Sequence, residues 1–167
     1  MELCGFSADV NGLKALSSEL DTRIKALESE IYSLAGYEFN LNSPKQLGVA
    51  LFEKLGLPAK KKTKSGYSTG AEVLEGLKNE HPAVSLLLNY RQLAKLKSTY
   101  ADGLQDCIAE DGRIHSTFNQ TEARTGRISS LEPNLQNIPV RTAEGRRLRE
   151  YFNAPAGRVL CDADYSQ

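Results

Sequence analysis

The sequence lacks three features that would each assign it to a distinct class of protein. Its 167 residues contain no apolar run near the roughly 20 residues that a membrane-spanning helix needs, so we expect no membrane partner. The first residues, MELCGFSADV, have neither a basic region nor a long apolar core, and we do not expect a signal peptide there. The cysteines show no CxxC spacing, which favours buried, reduced thiols in a cytoplasmic protein over metal ligands: Cys4, Cys107 and Cys161.

The chain also lacks a net charge, because 21 Lys and Arg residues balance 21 Asp and Glu residues. This balance argues against a wholly basic, nucleic-acid-binding surface. The charges are unevenly distributed, however, since residues 113–150 contain seven arginines and only four glutamates. The second part of the chain can therefore present a local basic surface.

The first 108 residues or so have the apolar spacing of helices. Leucine and isoleucine recur every three or four residues from Leu13 to Leu34, which predicts a long amphipathic helix. Asp9 is its expected N-cap and Gly36 its expected end. A second long helix is predicted after Pro82, so that the two would form an elongated antiparallel pair. The expected apolar face of this second helix consists of Leu86, Leu87, Tyr90, Leu93, Leu96 and Tyr100. Its cations are either ordinary solvated charge or a basic edge: Arg91, Lys95 and Lys97.

Shorter helices are predicted between the two long ones. Ser43 and Pro44 form a cap and a first-turn proline, followed by leucines at helical spacing. Thr69 and Glu72 have the spacing of a capping box for a short helix through Leu77. Between these helices, KKKTKSGYSTG is a basic loop that is either a solvated linker or a contact to a phosphate backbone.

After Asp111-Gly112, a turn dipeptide, the pattern changes. RIHSTFNQ alternates as a strand does, AEGRRLREYF predicts a short basic helix, and RVLCDADYS predicts a buried strand. The stretch between the first strand and the helix has neither the apolar spacing of a helix nor the alternation of a strand. Together the two parts predict an α+β fold, mostly helical at first and then with a few β-strands.

The most informative run is TGRISSLEPNLQNIPVR, from Thr125 to Arg141. It is rich in arginine and side-chain amides, its prolines fix the backbone direction, and scattered apolar residues anchor it. An anchored loop of this composition suits the recognition of phosphates or base edges. The alternative is a structural loop whose side chains satisfy one another.

The runs PNLQNIPVR and DYSQ, preceded by FNLNSPKQL and YRQLAKLKSTY, resemble the family A DNA polymerases over essentially the whole chain. The resemblance implies a helical, duplex-gripping thumb in residues 1–110. Residues 111–167 then correspond to the N-terminal part of the palm, truncated within the family's motif A. One departure is visible, because Ala123 and Arg124 stand where the family often has threonine and a small residue.

The resemblance also implies the site residues. Asp164 would hold the two catalytic metal ions, expected to be Mg²⁺, together with the backbone carbonyl of Tyr165. Asp162 is expected to be a bystander. The incoming deoxynucleoside triphosphate would be bound by Arg141, Ser166 and Gln167. Primer–template DNA would be bound by Arg127, Asn134, Gln136, Asn137, Asn40, Asn42, Ser43, Ser68, Thr69 and Lys95.

The implied activity is DNA-directed DNA synthesis in replication and repair, by a monomeric, cytoplasmic bacterial enzyme. The family's fingers and second metal-binding aspartate would follow DYSQ, so we expect no catalysis from this chain alone. One alternative is a non-catalytic module that grips duplex DNA. Another is a helical interaction protein, which leaves the run from Thr125 to Arg141 unexplained.

Overall fold

The computed structural model of the chain describes residues 1–59, 62–63 and 66–163. Helices dominate up to Asp106. Across all the described residues, the strands form three two-stranded antiparallel sheets. The predicted α+β class is confirmed. The chain divides into two compact units. One is Leu20–Ala94, and the other, the discontinuous unit, combines Met1–Glu19 with Lys95–Gln167.

Helix α1 spans Val10–Ala35, as the leucine spacing predicts. Asp9 caps it, because its carboxylate accepts the backbone N–H of Gly12 at 2.9 Å. Gly36 follows the helix with a φ of 79°, in the left-handed region that favours glycine. The buried side of α1 consists of Leu13, Leu16, Leu20, Leu27 and Ile31.

Helix α2 spans Pro44–Gly48 and runs directly into a π-helical segment, Val49–Lys54. The predicted cap is present, since the N–H of Gln46 donates to the hydroxyl of Ser43 at 3.4 Å. A small hairpin follows, in which β2 (Lys62–Thr63) pairs with β3 (Gly66–Tyr67).

Helix α3 spans Ala71–Glu75, and its predicted capping box is wrong. The N-cap position is Gly70, without a capping side chain, and the helix ends before Leu77. Thr69 is held by another partner, because the guanidinium of Arg91 donates to its carbonyl oxygen at 2.5 Å and to its hydroxyl at 3.4 Å. This tertiary contact outweighs the local capping pattern.

The predicted helix after Pro82 is confirmed as α4, Pro82–Leu96. A π-helical segment, Lys97–Asp102, continues it, and α5 follows as Gly103–Asp106. One residue of the expected apolar face, Leu86, is half-buried. The other five are buried: Leu87, Tyr90, Leu93, Leu96 and Tyr100.

The strands of the discontinuous unit form two pairs. β1 (Phe6–Ser7) pairs with β4 (Arg113–Ile114), and β5 (Thr117–Asn119) pairs with β6 (Ser129–Leu131). The predicted strand RIHSTFNQ is therefore two short strands. β6 lies inside the run for which no period predicted a strand.

Helix α6 spans Ala143–Arg149, as predicted, and the hydroxyl of Thr142 caps it by accepting the N–H of Gly145 at 3.0 Å. The buried strand predicted for RVLCDADYS is wrong over its described part, residues 158–163. None of the described strands pairs with this part, and Val159 and Leu160 are 86% and 63% exposed. The remainder of that run lies outside the described residues.

The prediction of buried thiols is wrong for two cysteines, because Cys4 and Cys161 are exposed while Cys107 is half-buried. Within the part of the chain that the structure describes, no helix has the length and apolar character needed to cross a membrane.

Candidate nucleic-acid interface

The run from Thr125 to Arg141 folds as an anchored loop. Near its middle lies β6, whose Leu131 is in register with Thr117 of β5. The buried hydroxyl of Ser130 accepts the backbone N–H of the residue five positions later, at 3.1 Å. The residues after β6 therefore leave the sheet in a defined direction.

The predicted contact residues of this loop have exposed side chains: Arg127, Asn134, Gln136, Asn137 and Arg141. Two of them also hold the loop together. The amide oxygen of Asn134 accepts the N–H groups of Gln136 and Asn137 at 3.1 and 3.2 Å. The amide nitrogen of Gln136 donates to the carbonyl of Ile128 at 2.7 Å. These side chains thus shape the surface to which they belong.

The hydroxyl of Tyr100 donates to the carbonyl oxygen of Asn137. Burial raises the pKa of Tyr100, which keeps the phenol protonated and able to donate. Sequence reasoning assigned Tyr100 only to the apolar face of its helix. The available signal was the polar end of a tyrosine on that face, since a buried phenol usually finds a hydrogen-bond partner.

An open cavity of about 660 Å³ lies between the helical and loop parts of the discontinuous unit. Its lining brings together three predicted DNA-binding residues from separate places in the sequence: Lys95, Asn134 and Asn137. Thr99, Tyr100 and Cys107 are among its other lining residues. Arg127 and Arg141 are not part of this lining, although they belong to the same loop.

The compact unit Leu20–Ala94 contains a second group of predicted contact residues, at the start of α2. The side chain of Asn40 accepts the N–H of Asn42 at 2.9 Å, and its backbone N–H donates to Gln46 at 2.8 Å. The hydroxyl of Tyr90 donates to the Asn42 side chain at 3.4 Å. With the capping hydroxyl of Ser43, these bonds form a polar turn whose asparagines are exposed.

Ser68 and Thr69 precede α3 in the same unit. Thr69 is only 6% exposed, so its side chain supports the segment from inside. Its partner Arg91 was not predicted to have this role, and was considered only as surface charge or a basic edge of α4. Burial lowers the pKa of Arg91. Ser68 is half-buried.

Lys97, the third cation of the predicted basic edge of α4, forms an ion pair. Its ammonium lies 2.7 Å from the carboxylate of Asp102, which also accepts the hydroxyl of Ser17 at 2.5 Å. Burial acts to raise the pKa of Asp102, but the hydrogen bonds from Lys97 and Ser17 outweigh it and lower that pKa. Lys95 is thus the cation of this edge that lines the cavity.

Four predicted site residues lie outside the described residues: Asp164, Tyr165, Ser166 and Gln167. Asp162 is described and exposed. Among residues 1–59, 62–63 and 66–163, no three His, Cys, Asp or Glu side chains are grouped so that they could hold a metal ion.

The sequence of this chain matches the family model of DNA polymerase family A over residues 10–167. It is 52% identical over 167 residues to DNA polymerase I of Lactococcus lactis subsp. cremoris and 51% identical over 170 residues to DNA polymerase I of Bacillus subtilis. Both alignments cover 100% of this chain and 19% of the relative. The chain therefore spans about a fifth of the length of these relatives.

A solved structure with a similar fold is the POL domain of Pol1 from M. smegmatis, in complex with DNA primer-template and dNTP. The TM-score is 0.84 at 49% sequence identity, and the match covers 92% of this chain and 27% of that one. The family model, the relatives and the fold agree with the resemblance of the sequence motifs. This chain belongs to DNA polymerase family A.

Proposed function

We propose that this chain supplies the primer–template grip and part of the nucleotidyl-transfer site of a DNA-directed DNA polymerase, acting in DNA replication and repair. Membership of DNA polymerase family A supports nucleotidyl transfer as the reaction. The M. smegmatis relative, whose structure holds DNA primer-template and dNTP, supports the two substrates. The bacterial polymerase I relatives support a cytoplasmic enzyme, which we propose acts as a monomer.

In this proposal residues 1–110 act as the thumb and residues 111–167 begin the palm. Thumb contacts from Asn40, Asn42, Ser43 and Ser68 hold the duplex backbone, and the buried Thr69 supports the segment that carries Ser68. Hydrogen bonds to phosphates fix the position of a duplex without depending on its sequence. Such a grip allows a polymerase to hold any template.

The anchored loop from Thr125 to Arg141, together with Lys95, performs the second part of the grip. Arg127 reaches the minor-groove edge at the primer terminus, where every base pair offers an acceptor in a similar place. One arginine can therefore test the geometry of pairing without reading sequence. Lys95, Asn134, Gln136 and Asn137 contact or support the neighbouring primer and template.

The single observation that carries this proposal is the cavity shared by Lys95, Asn134 and Asn137. It joins a cation and two exposed amides through a loop that Tyr100 and Ser130 hold in place. A cation beside amide donors and acceptors suits a phosphate next to a base or sugar edge. A purely structural loop, whose side chains bond only to one another, would not need the exposed ammonium of Lys95 beside it.

Asp164 and the carbonyl of Tyr165 would bind divalent metal, which we propose is Mg²⁺. A carboxylate and a carbonyl are hard oxygen donors, so this donor set fits Mg²⁺. When bound, the metal ions supply charge stabilisation to the transferring phosphoryl group. Arg141, Ser166 and Gln167 bind and orient the triphosphate of the incoming nucleotide.

The test is a chimera in which residues 1–167 replace the matching segment of the Lactococcus lactis polymerase, with which they align over 167 residues. With Mg²⁺ and deoxynucleoside triphosphates, the chimera should extend a primer on its template. Asp164→Ala should reduce kcat on the order of 10³-fold, because metal-based charge stabilisation is worth several kcal/mol.

Asp162→Ala is the matched control and should leave extension unchanged, since Asp162 is the neighbouring exposed carboxylate. A folded chimera that binds primer–template but does not extend it would refute nucleotidyl transfer. That result would favour the alternative, a non-catalytic grip on duplex DNA.

A further inference from the structure

Two serine hydroxyls meet in the interior of the discontinuous unit, with the Oγ atoms of Ser116 and Ser130 2.7 Å apart. Ser116 directly precedes β5 and is 3% exposed, and Ser130 is the central residue of β6 and is 0% exposed. Burying a hydroxyl is unfavourable unless it is hydrogen-bonded. This pair, the serine clamp, therefore depends on the bonds that it makes.

The serine clamp is bonded to the turn that follows β6. Ser116 Oγ lies 3.1 Å from the carbonyl oxygen of Leu131 and 2.8 Å from that of Pro133. Ser130 Oγ lies 3.1 Å from the Pro133 carbonyl and accepts the N–H of Leu135 at 3.1 Å. The two serines thus contact the backbone at three points of one turn.

Each hydroxyl has one proton to donate, which limits how these contacts can be satisfied. If Ser130 donates to Ser116, then Ser116 donates to a carbonyl of the turn. If Ser116 donates to Ser130, then Ser130 donates to Pro133. In both cases one proton joins the two serines and the other one fixes the turn.

The turn adopts a backbone that needs to be held. Glu132 has a φ of 51°, and it is the one residue other than glycine with positive φ in the described part of the chain. The left-handed region is unfavourable for a residue with a Cβ, and it persists where the surrounding bonds determine the conformation. The clamp supplies such bonds on both sides of Glu132.

Asn134 lies between the two bonded peptide groups. The Pro133 carbonyl belongs to the peptide plane before Asn134, and the Leu135 N–H belongs to the plane after it. Because peptide groups are planar, fixing both of them fixes φ and ψ of the residue between them. The direction in which the Asn134 side chain leaves the backbone is thereby set.

We propose that the serine clamp is a positioning device for primer–template recognition, which acts through Asn134 and the amides that Asn134 orders. Neither serine touches DNA in this scheme. The inference rests on the proposed function, since it names two further residues that prepare the same binding loop. It predicts that removing a buried hydroxyl weakens binding at a surface that the hydroxyl does not reach.

The first measurement tests the clamp without DNA. Backbone hydrogen exchange of the 167-residue chain should show the Leu135 N–H exchanging about tenfold faster in Ser130→Ala, since the N–H loses its acceptor. Ser116→Ala should have a smaller effect, because Ser130 can still bond to both Pro133 and Leu135. Ser18→Ala, on the exposed side of α1, is the matched control and should change nothing at Leu135.

The second measurement is the Kd of the same chain for a primer–template duplex at fixed salt. Ser130→Ala should raise Kd about tenfold, Ser116→Ala about threefold, and Ser18→Ala not at all. Ser130→Thr, which keeps a hydroxyl, should restore binding. If Ser130 acts through Asn134, then Ser130→Ala should add almost nothing to the effect of Asn134→Ala in the double variant.

The proposal is overturned if Ser130→Ala accelerates exchange at Leu135 without changing Kd, or if its effect adds fully to that of Asn134→Ala. If circular dichroism shows Ser130→Ala to be unfolded, Ser130→Cys replaces it, because the thiol fills the same place with a much weaker hydrogen bond. The same two criteria then apply. An unaltered chain that binds no primer–template would refute the proposed function itself, a result distinct from a variant that binds normally.

Discussion

At the residue scale, His115 uses both ring nitrogens to hold the N-terminal segment to the turn before β4. Nδ1 lies 2.6 Å from the carbonyl oxygen of Glu2, and Nε2 lies 3.0 Å from the carboxylate of Asp111. Both partners can only accept hydrogen bonds, and a neutral imidazole has a single N–H. The protonated ring therefore satisfies both bonds, whereas the neutral ring satisfies one.

The pKa values follow this geometry. The hydrogen bond to the Glu2 carbonyl raises the pKa of His115 above its ordinary 6.5, with Asp111 acting in the same direction and Arg113 opposing. The pKa of Asp111 is lowered from 3.8, chiefly by the hydrogen bond from His115. Because the folded pKa of His115 is raised, its contribution is complete below 6.5 and is lost as pH rises through the folded value. The Asp111 contribution is lost only in acid.

We therefore expect the stability difference between the unaltered chain and His115→Gln to be largest at about pH 5 to 6 and to shrink towards pH 9. Urea midpoints across this range measure it. His81→Asn is the control, since Nδ1 of His81 accepts the N–H of Ala83 at 3.1 Å and asparagine can cap in its place. His81→Asn should lose stability towards alkaline pH just as the unaltered chain does, because His115 is intact in both. A gap between the unaltered chain and His115→Gln that is constant with pH would contradict the role of the imidazolium.

Single polar groups on apolar faces were the part of the site least predictable from sequence. The spacing that predicted a buried face for Tyr100 does not name Asn137, 37 residues away, as the partner of its hydroxyl. The same holds for Arg91 and Thr69, which are 22 residues apart. Periodicity reports which side of a helix is buried, but a hydrogen-bond partner depends on the tertiary fold.

At the element scale, α6 packs so closely on the loop before it that Gly145 has no room for a side chain. A Cβ at this position would lie 2.6 Å from the Pro139 Cβ and 2.7 Å from the Pro139 carbonyl oxygen. Gly145→Ala should therefore shift the helix or the loop, and lower the free energy of unfolding by about 1–3 kcal/mol. Urea denaturation measures this loss.

Gly70→Ala is the control for this substitution. Gly70 has a φ of −63°, and a Cβ there would meet nothing closer than 4.0 Å. We expect its cost to stay below about 1 kcal/mol, the ordinary effect of alanine at an N-cap. Equal losses for the two variants would show that α6 is not closely packed on the loop.

The elements that could be predicted from sequence are those whose boundaries are local. Asp9 and Ser43 cap helices through bonds to residues three positions away, so the pattern contains both partners. β6 could not be predicted, because Ser130 is buried by its pairing with Phe118 and by Ser116. The strand predicted from Arg158 onwards is wrong over its described part for a related reason: strand formation depends on a distant partner, and none of the described strands pairs with residues 158–163. An apolar run becomes a strand only beside a neighbour.

At the scale of the whole molecule, a formal charge of zero is compatible with DNA binding if the cations are segregated. Several of the cations have internal partners. The guanidinium of Arg147 lies 2.7 Å from the carboxylate of Glu19, and Lys97 pairs with Asp102. The uneven arginine distribution was visible in the sequence, but which cations stay available was not, because it depends on these distant partners.

Salt dependence separates the cations that contact phosphate from those that do not. Binding of primer–template to the chain should weaken with salt, with a slope of log K against log salt of about −0.9 per phosphate contacted. Lys95→Gln should make this slope shallower by about one unit, because the ammonium on the cavity is proposed to contact a phosphate. Arg127→Gln should weaken binding at every salt concentration and leave the slope nearly unchanged, because its proposed contact is a base edge.

Lys25→Gln is the control for both substitutions, since this exposed lysine pairs with Asp21 at 2.6 Å on the solvent side of α1. It should alter neither affinity nor slope beyond a general effect of one lost charge. If Lys95→Gln and Lys25→Gln gave the same slope, the cavity would not be a phosphate site. The amides and arginines of the loop from Thr125 to Arg141 would then bind the duplex without a contribution from Lys95.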